Sequence, residues 1–258
     1  MTNDPKQIWL IGGTTESAEI ARSIAVLKIP CIVSVTTESA KSLYPETSEF
    51  TIRVGKLEPD RIQFFLQQEN IVGILDASHP YAIEVSQMAI TASQQYSLPY
   101  LRYERPQIKS SSNAIYLPSF ETLLNGEYLT RKRVLLTIGY RPLELFKTWQ
   151  AQSTLFARIL PSLTALEAAI AAGFTNDRLI ALRPPISAEL ETALWRQWKI
   201  SIVVTKASGT AGGEDVKQTV AAKLGIGLII IDRPSVDYLH QTNDVKTAIE
   251  FCQKQYLF

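Results

Sequence analysis

The sequence has 258 residues, of which 46% are hydrophobic and 20% charged. A chain of this length and composition buries one large core or two cores of about 130 residues each, so we predict a folded protein and not a disordered one. A net charge of +1 gives no basis for binding nucleic acid, which demands a clustered basic surface. Two cysteines and two histidines supply neither a disulfide framework nor a histidine metal site, so we predict no bound metal.

The amino-terminal sequence MTNDPKQ lacks a basic region followed by an apolar stretch. The apolar runs are also much shorter than the roughly 18 residues of a membrane span. Cys31 and Cys252 lack the spacing of a redox or metal motif. These features together predict a cytoplasmic protein without a membrane or nucleic acid partner.

Short apolar runs alternate with amphipathic stretches along the chain, which is typical of parallel α/β sheets. In the first half, the runs predict strands at Ile8–Ile11, Cys31–Val35, Phe50–Val54, Ile71–Leu75 and Tyr100–Leu101. In the second half, they predict strands at Val134–Thr137, Leu155–Ile159, Leu179–Leu182, Ile200–Thr205 and Leu228–Ile231, with helices at Leu163–Ala172 and Ala188–Trp198.

A polar interval at residues 105–133, which contains prolines and three consecutive serines, interrupts this alternation. We therefore predict an α/β protein of two tandem Rossmann-like domains, residues 1–130 and 131–258, with parallel sheets and an active-site cleft between them. The first domain carries 10 basic and 14 acidic residues, and the second carries 16 and 11. The positive excess in the second domain favours an anionic ligand there, and a solvated basic surface is the alternative.

The first predicted strand runs into the sequence GGTTES. Gly12 and Gly13 lack side chains that would obstruct a phosphate, Thr14 adds a hydroxyl, and the helix that begins near Glu16 directs its amide groups to the same place. Because ligands of open parallel sheets bind at the carboxyl ends of strands, we interpret these four residues as a pyrophosphate site. A tight turn with a threonine cap is the alternative, since GGTTES is not the GxGxxG fingerprint.

The end of the second predicted strand bears on the choice of dinucleotide. An NAD site typically has an acidic residue there, whereas NADP needs hydroxyl or cationic groups for its extra phosphate. Thr36, Thr37, Ser39 and Lys41 provide such groups, and we predict NADPH as the cofactor. Glu38 is close enough to keep NADH as the alternative.

Polar side chains also follow the fourth predicted strand, where polar groups in a strand-end loop often carry function. We interpret Ser78 as a cofactor contact and His79 and Tyr81 as candidate catalytic residues, with His79 donating a proton or binding a carboxylate. A purely structural interpretation is compatible with this one: Asp76 or Ser78 caps the next helix and Pro80 occupies its first turn.

In the second half, the sequence VTKASGTAGG repeats the arrangement of a strand followed by a glycine-rich loop and a helix. Lys206 and Ser208 follow the strand, and glycines stand at 209, 212 and 213. This pattern indicates an anion-binding loop with Lys206 and Ser208 as candidate catalytic residues. A flexible turn with an exposed lysine is the alternative.

The segments GGTTE, VTTES, RVGKL, DASHPYA, LPYLRYERP, LLTIG, ARILP, RPPIS and VTKASGTAGG stand in this order along nearly the whole chain. As an ordered series they resemble the precorrin-6A reductase family of cobalamin biosynthesis, with HPYA and the SG and GG elements after VTK the most specific. The sequence departs from the family pattern at TIGYRPL, where Tyr140 and Arg141 follow the first strand of the second domain.

The resemblance implies a reductase with a nicotinamide cofactor in the first domain and a second domain that closes over a tetrapyrrole macrocycle. The implied reaction saturates the bond between ring carbons 18 and 19, with hydride delivered to carbon 19 and a proton to its neighbour. By motif, Thr36 and Thr37 would bind the adenosine ribose or its phosphate, and the turn at Gly55 and Lys56 the adenine side.

The resemblance also implies that His79 and Tyr81 lie near the nicotinamide or the substrate and face Lys206 and Ser208. The substrate carries acetate and propionate groups, for which the sequence offers cations. The candidates to lie at or near the cleft are Arg102, Arg105, Arg158, Arg183 and Lys206.

Two other functions stay open at this point. The chain is also compatible with a regulatory module that senses a dinucleotide without turnover, or with another NAD(P)-dependent small-molecule reductase or epimerase on the same scaffold. A sensor needs neither a cationic substrate site nor a proton donor beside the nicotinamide.

Overall fold

The computed structural model describes residues 5–108 and 113–257. The first four residues, on which the prediction about export partly depends, and the serines at 110–112 lie outside the described residues. None of the helices in the described ranges is long and apolar enough to cross a membrane.

The described residues form twelve strands, numbered here in chain order. These are β1 (Gln7–Ile11), β2 (Cys31–Val35), β3 (Phe50–Val54), β4 (Ile71–Asp76), β5 (Tyr100–Tyr103), β6 (Ala114–Leu117), β7 (Arg133–Thr137), β8 (Thr154–Ile159), β9 (Leu179–Ala181), β10 (Ile202–Lys206), β11 (Gly227–Ile231) and β12 (Gln241–Thr242).

Nine α-helices connect them in the same part of the chain. These are α1 (Thr15–Val26), α2 (Glu38–Lys41), α3 (Ile62–Gln68), α4 (Ile83–Gln95), α5 (Phe120–Asn125), α6 (Leu163–Ala171), α7 (Ala188–Gln197), α8 (Glu214–Leu224) and α9 (Val245–Leu257). A 3₁₀ helix at Arg141–Ala151 follows β7.

The chain divides into two compact units. Unit 1 comprises residues 1–106 and 235–258, and unit 2 comprises residues 107–234. The sheet of unit 1 has the order β12-β5-β4-β1-β2-β3, and the sheet of unit 2 has the order β6-β11-β10-β7-β8-β9. Every pairing in both sheets is parallel. The predicted fold class, two Rossmann-like α/β sheets, is confirmed.

This division differs from the sequence-based boundary near residue 130 at both ends of the second domain. Strand β6 lies before that boundary but pairs with β11 in unit 2, and β12 lies near the carboxyl terminus but pairs with β5 in unit 1. Helix α9 packs against α1 and β4, which also belong to unit 1. The chain therefore crosses between the units twice, once at the start of the polar interval at residues 105–133 and once near residue 235.

The central strands are continuously apolar because their side chains point alternately to the two faces of the sheet and both faces are buried. In β1, Ile8 and Leu10 belong to one core cluster and Trp9 and Ile11 to another, because successive side chains of a strand point to opposite faces of the sheet. Both faces of a parallel sheet are covered by helices and both must be apolar. The ten strands predicted from this pattern are confirmed to within two residues at each end.

Candidate functional site

The strand orders place a topological switch point in each unit, where the direction of strand order reverses. In unit 1 the reversal lies between β1 and β4, and in unit 2 between β7 and β10. Ligands of open α/β sheets bind at the carboxyl ends of the strands at such points. The glycine-threonine loop and the Ser78–Tyr81 loop follow the first pair of strands, and the loops at Gly139–Arg141 and Ala207–Gly213 follow the second.

The two loops at the switch point of unit 1 are joined through Thr14. This residue is the N-cap of α1, and its side chain accepts from Ser17 N in a reciprocal capping box. The hydroxyl of Thr14 also donates to the carbonyl of Ala77, 3.0 Å away. Thr14 is therefore the threonine cap that the structural interpretation of the sequence predicted, and it fixes the spacing of the two loops.

The amide groups of the glycine-threonine loop have partners within the protein. Gly12 N donates to Ser34 O at 2.9 Å, Gly13 N to the hydroxyl of Tyr44 at 2.7 Å, and Thr14 N to the hydroxyl of Ser17 at 3.0 Å. The direct contact between these amides and a pyrophosphate, as the sequence predicts it, therefore competes with existing hydrogen bonds. Sequence reasoning missed Tyr44, because no local signal connects it with this loop.

The two glycines have different physical roles. A Cβ at Gly12 would overlap the hydroxyl of Tyr44, so the absence of a side chain at this position admits the tyrosine. Gly13 has a φ of +100°, and no heavy atom lies within 4 Å of a Cβ built on it. Gly13 is exposed and leaves the outer side of the loop open to a ligand.

Glu16 lies in the first turn of α1 and forms an ion pair with Arg105. Its Oε1 lies 3.0 Å from Arg105 Nε, and the two side chains are 17% and 9% exposed. Among the described residues, Oε2 of Glu16 is buried without a hydrogen-bond partner. An acceptor of this kind at a switch point is suited to a hydrogen-bond donor of a ligand.

The loops after β2 and β3 present exposed polar groups. Thr36 and Thr37 are exposed, and Thr37 caps the short helix α2 by accepting from Ala40 N. Gly55 has a φ of +118° with open space beside it. The exposed Lys56 lies 3.2 Å from a carboxylate oxygen of Glu84, and such a surface pair is weak enough to exchange for a ligand.

Asp76 at the end of β4 is fully buried and accepts four hydrogen bonds. The donors are Ser78 N at 3.0 Å, the hydroxyls of Ser86 and Tyr100 at 2.6 and 2.9 Å, and Arg102 Nη1 at 2.8 Å. Burial, and then the charge of Asp76, raises the pKa of the Tyr100 hydroxyl, which therefore stays protonated and donates. The network fixes the start of the Ser78–Tyr81 loop.

The prediction that Asp76 or Ser78 caps the following helix, with Pro80 in its first turn, is wrong. Helix α4 begins only at Ile83, and its N-cap Ala82 has no side-chain bond. Asp76 instead pairs with Arg102 inside the sheet, because a buried carboxylate is stabilised more by a buried guanidinium than by the exposed amides at the start of a helix.

His79 and Tyr81 project from this loop. His79 is exposed and Tyr81 half-buried, and their ring centroids are 5.8 Å apart. The His79 Nδ1 accepts from Tyr81 N at 3.3 Å, so a neutral imidazole carries its proton on Nε2. The structure brings both predicted residues together, next to the loop that contains Thr14.

Lys206 is the last residue of β10, at the switch point of unit 2. Its ammonium lies 5.9 Å from the centroid of the Phe120 ring. Burial, and then the nearby charge of Arg141, lowers the pKa of Lys206 to about 8. Lys206 at the end of β10 and Arg141 after β7 are thus two cations that lie near each other at one edge of the sheet.

The glycine-rich loop after Lys206 is held by two buried charged residues of α8. Gly209 N donates to the Glu214 carboxylate at 2.8 Å, and Lys217 Nζ donates to the carbonyls of Gly212 and Gly213 at 2.7 and 3.0 Å. A Cβ at Gly212 would overlap the Ser208 hydroxyl, which places Ser208 inside the curve of the loop. Helix α8 therefore holds the loop in place through buried side-chain hydrogen bonds, which the sequence did not predict.

Besides Arg105, which pairs with Glu16, two further arginines of the predicted set of substrate cations are paired with protein carboxylates. Arg102 is fully buried between Asp76 and Glu104, and Arg158 forms a buried pair with Glu191 at 2.6 Å. Their charges are neutralised by protein carboxylates, so neither is available to a ligand carboxylate. Arg183 is exposed.

The fold and these loops define a two-unit Rossmann-like α/β protein with polar residues concentrated at both switch points. The chain belongs to the precorrin-6x reductase CbiJ/CobK family, whose model matches residues 7–253. The resemblance read from the sequence motifs and the predicted class of enzyme, an oxidoreductase, are both confirmed.

Individual relatives extend over nearly the full chain. The chain is 46% identical to the cobalt-precorrin-6A reductase of Synechocystis sp. over 98% of each protein, and 30% identical to that of Salmonella typhimurium over 88% of each. It is 22% identical to the solved structure of the CobK precorrin-6A reductase, with a TM-score of 0.78 over 97% of each chain. The last comparison supports the fold.

Proposed function

We propose that this protein reduces cobalt-precorrin-6A in cobalamin biosynthesis, with NADPH as the reductant and metal-free precorrin-6A as the poorer substrate. The observation that carries the proposal is the full-length similarity to cobalt-precorrin-6A reductases, 46% identical in one case. The double bond between ring carbons 18 and 19 accepts a hydride at carbon 19 and a proton at carbon 18. NADPH supplies the hydride, and an acid or solvent supplies the proton.

The residues of unit 1 then bind and orient the cofactor. Gly12, Gly13 and Thr14 shape the phosphate loop, and the start of α1, where Thr15 is exposed, offers first-turn amides that the helix itself does not use. The positive end of a helix stabilises an anion at this position.

The other strand-end loops of unit 1 hold the remainder of the dinucleotide. Thr36 and Thr37 bind the adenosine ribose or its phosphate, Gly55 and Lys56 border the adenine, and Ser78 lies on the nicotinamide side. Glu16 Oε2 is an acceptor for a donor group of the same ligand.

The residues of unit 2 bind the tetrapyrrole. Lys206 and Arg141 are suited to the acetate and propionate groups of the macrocycle, because a carboxylate paired with a partly desolvated cation forms a strong charge-assisted hydrogen bond. Ser208 supplies a hydroxyl within the same loop. His79 and Tyr81 in unit 1 are the candidates to donate the proton, and the protonated Nε2 of His79 is the group that would do so.

The direct experiment is anaerobic oxidation of NADPH by the purified protein with cobalt-precorrin-6A, with precorrin-6A, and without a tetrapyrrole. We expect one equivalent of NADPH to be consumed per macrocycle, with the cobalt form giving the higher kcat/KM. Binding of NADPH without turnover of either macrocycle would indicate a sensor. Oxidation of NADPH with an unrelated small molecule alone would indicate another reductase.

We predict that NADPH is used in preference to NADH, with a severalfold higher kcat/KM. The exposed Thr36 and Thr37 follow β2 directly and the exposed Lys41 ends the short helix α2 that comes next, and hydroxyl and ammonium groups favour the extra phosphate of NADPH. Steady-state comparison of the two cofactors with cobalt-precorrin-6A measures this. Preference for NADH would instead assign the ribose contact to Glu38.

A further inference from the structure

Tyr44 connects the segment after α2 with the phosphate loop. Its ring belongs to a core cluster of unit 1 and the residue is 6% exposed. Its hydroxyl accepts from Gly13 N at 2.7 Å and lies 2.6 Å from the hydroxyl of Ser17. The packed ring and the two short contacts at the hydroxyl therefore fix the position of Tyr44 against the phosphate loop.

The hydrogen bonds around this hydroxyl have one consistent direction. Ser17 donates its own proton to Thr14 O at 2.7 Å, so the proton between Ser17 and Tyr44 must come from Tyr44. Burial raises the pKa of the Tyr44 hydroxyl, so that it keeps this proton. The chain of bonds therefore runs from Gly13 N through Tyr44 and Ser17 to the carbonyl of Thr14.

Gly12 leaves space for the same hydroxyl because it has no side chain. A Cβ at this position would overlap the oxygen of Tyr44 and approach Cγ1 of Val33 to 3.1 Å. The first glycine of the loop therefore serves the tyrosine, whereas the second, at a φ of +100°, faces open space.

We propose that Tyr44 is a positioning residue of the cofactor site, whose hydroxyl fixes Gly13 and Thr14 so that the phosphates of the dinucleotide meet the first-turn amides of α1. The inference rests on the proposed binding of a nicotinamide dinucleotide in unit 1. Tyr44 replaces the phosphate as the acceptor for Gly13 N, which explains how a GGTT loop works without the GxGxxG pattern.

The variant Tyr44→Phe removes the hydroxyl and keeps the packed ring. We expect the Kd for NADPH, measured by its fluorescence, to rise about fivefold, which is the effect of losing one hydrogen bond that orders the site. The kcat at saturating NADPH should stay within twofold of wild type. Tyr116→Phe is the matched control in unit 2, because it removes a hydroxyl to which Gln218 Nε2 donates at 3.3 Å, and its Kd should not change.

A second variant approaches the same contact from the other side. Gly12→Ala should displace the Tyr44 hydroxyl and raise the Kd by a similar factor, and the double variant Gly12→Ala/Tyr44→Phe should lose less than the product of the two single effects, because both disrupt one contact. Thermal unfolding of each variant separates loss of the fold from loss of the site.

The outcomes distinguish this inference from the proposed function. Tighter NADPH binding by Tyr44→Phe would show that the hydroxyl competes with the phosphate, and an unchanged Kd would show a structural role alone; both overturn the inference and leave the function intact. Absence of NADPH and NADH binding in the wild-type protein would overturn both.

Discussion

Replacement of Lys206 by alanine is expected to lower kcat/KM for cobalt-precorrin-6A by roughly ten- to a hundredfold and to leave the Kd for NADPH within about twofold. Lys206 ends β10 at the switch point of unit 2, and burial together with Arg141 lowers its pKa to about 8. A carboxylate of the macrocycle would relieve the repulsion between these two cations and form a charge-assisted hydrogen bond with Lys206. Loss of the Lys206 ammonium is therefore expected to weaken substrate binding and orientation.

Lys223→Ala is the matched control for this variant. Lys223 is exposed in the last turn of α8, and its removal takes the same charge from the same unit, so kcat/KM should stay within twofold. Normal reduction by Lys206→Ala would mean that the ammonium does not contact the substrate. Loss of NADPH binding instead would mean that the loop serves the cofactor.

The lowered pKa of Lys206 makes a separate prediction about pH. If the charged lysine binds the substrate, kcat/KM should fall as the pH rises through about 8, because the ammonium loses its proton there and the neutral amine cannot pair with a carboxylate. Lys206→Arg keeps the charge at this pH and should remove the fall. Persistence of the fall in that variant would assign it to another group, such as Lys217, whose pKa is also lowered by burial to about 8.

Replacement of Gly13 by valine is expected to weaken NADPH binding at least about tenfold, because a branched side chain occupies the open side of the loop where a phosphate approaches. The φ of +100° also disfavours any branched residue at this position. Fluorescence titration of NADPH measures the effect, and thermal unfolding reports whether the variant is folded.

Gly225→Val separates the two causes. Gly225 also has a positive φ, +66°, with no heavy atom near a built Cβ, but it lies at the carboxyl end of α8. This control should lose stability to a comparable extent and bind NADPH normally. An unchanged Kd in folded Gly13→Val would show that the loop is only a strand-to-helix turn.

The strands and the loops at their ends could be predicted from the sequence, because their signals are local. The runs at β2 and β3 are followed directly by a polar residue and by glycine, and the predicted bounds of these two strands agree with the structure residue for residue. The loops at Gly12–Thr14, Ser78–Tyr81 and Lys206–Gly213 do lie at the carboxyl ends of β1, β4 and β10, since strand direction follows from the alternation of strands and helices.

The contacts within those loops depended on residues distant in the sequence. Tyr44 reaches Gly13 across 31 positions, and Arg102 reaches Asp76 across 26. A charged residue in the sequence shows neither its depth nor its partner, so Arg102 and Arg158 were indistinguishable from available cations such as Arg183. Burial beside a carboxylate neutralises the first two.

The class of fold, the family and the positions of the polar loops could be inferred without coordinates, because each of these is encoded in short segments or in their order. The assignment of segments to the two sheets became apparent only in the folded protein. Strand β12 consists of two polar residues, and β6 is apolar but only four residues long and lies within the polar interval at residues 105–133, so neither is identified locally. Strand β6 is stabilised by pairing with β11, and β12 by pairing with β5. Both partners are distant in the sequence, so these pairings depend on three-dimensional packing.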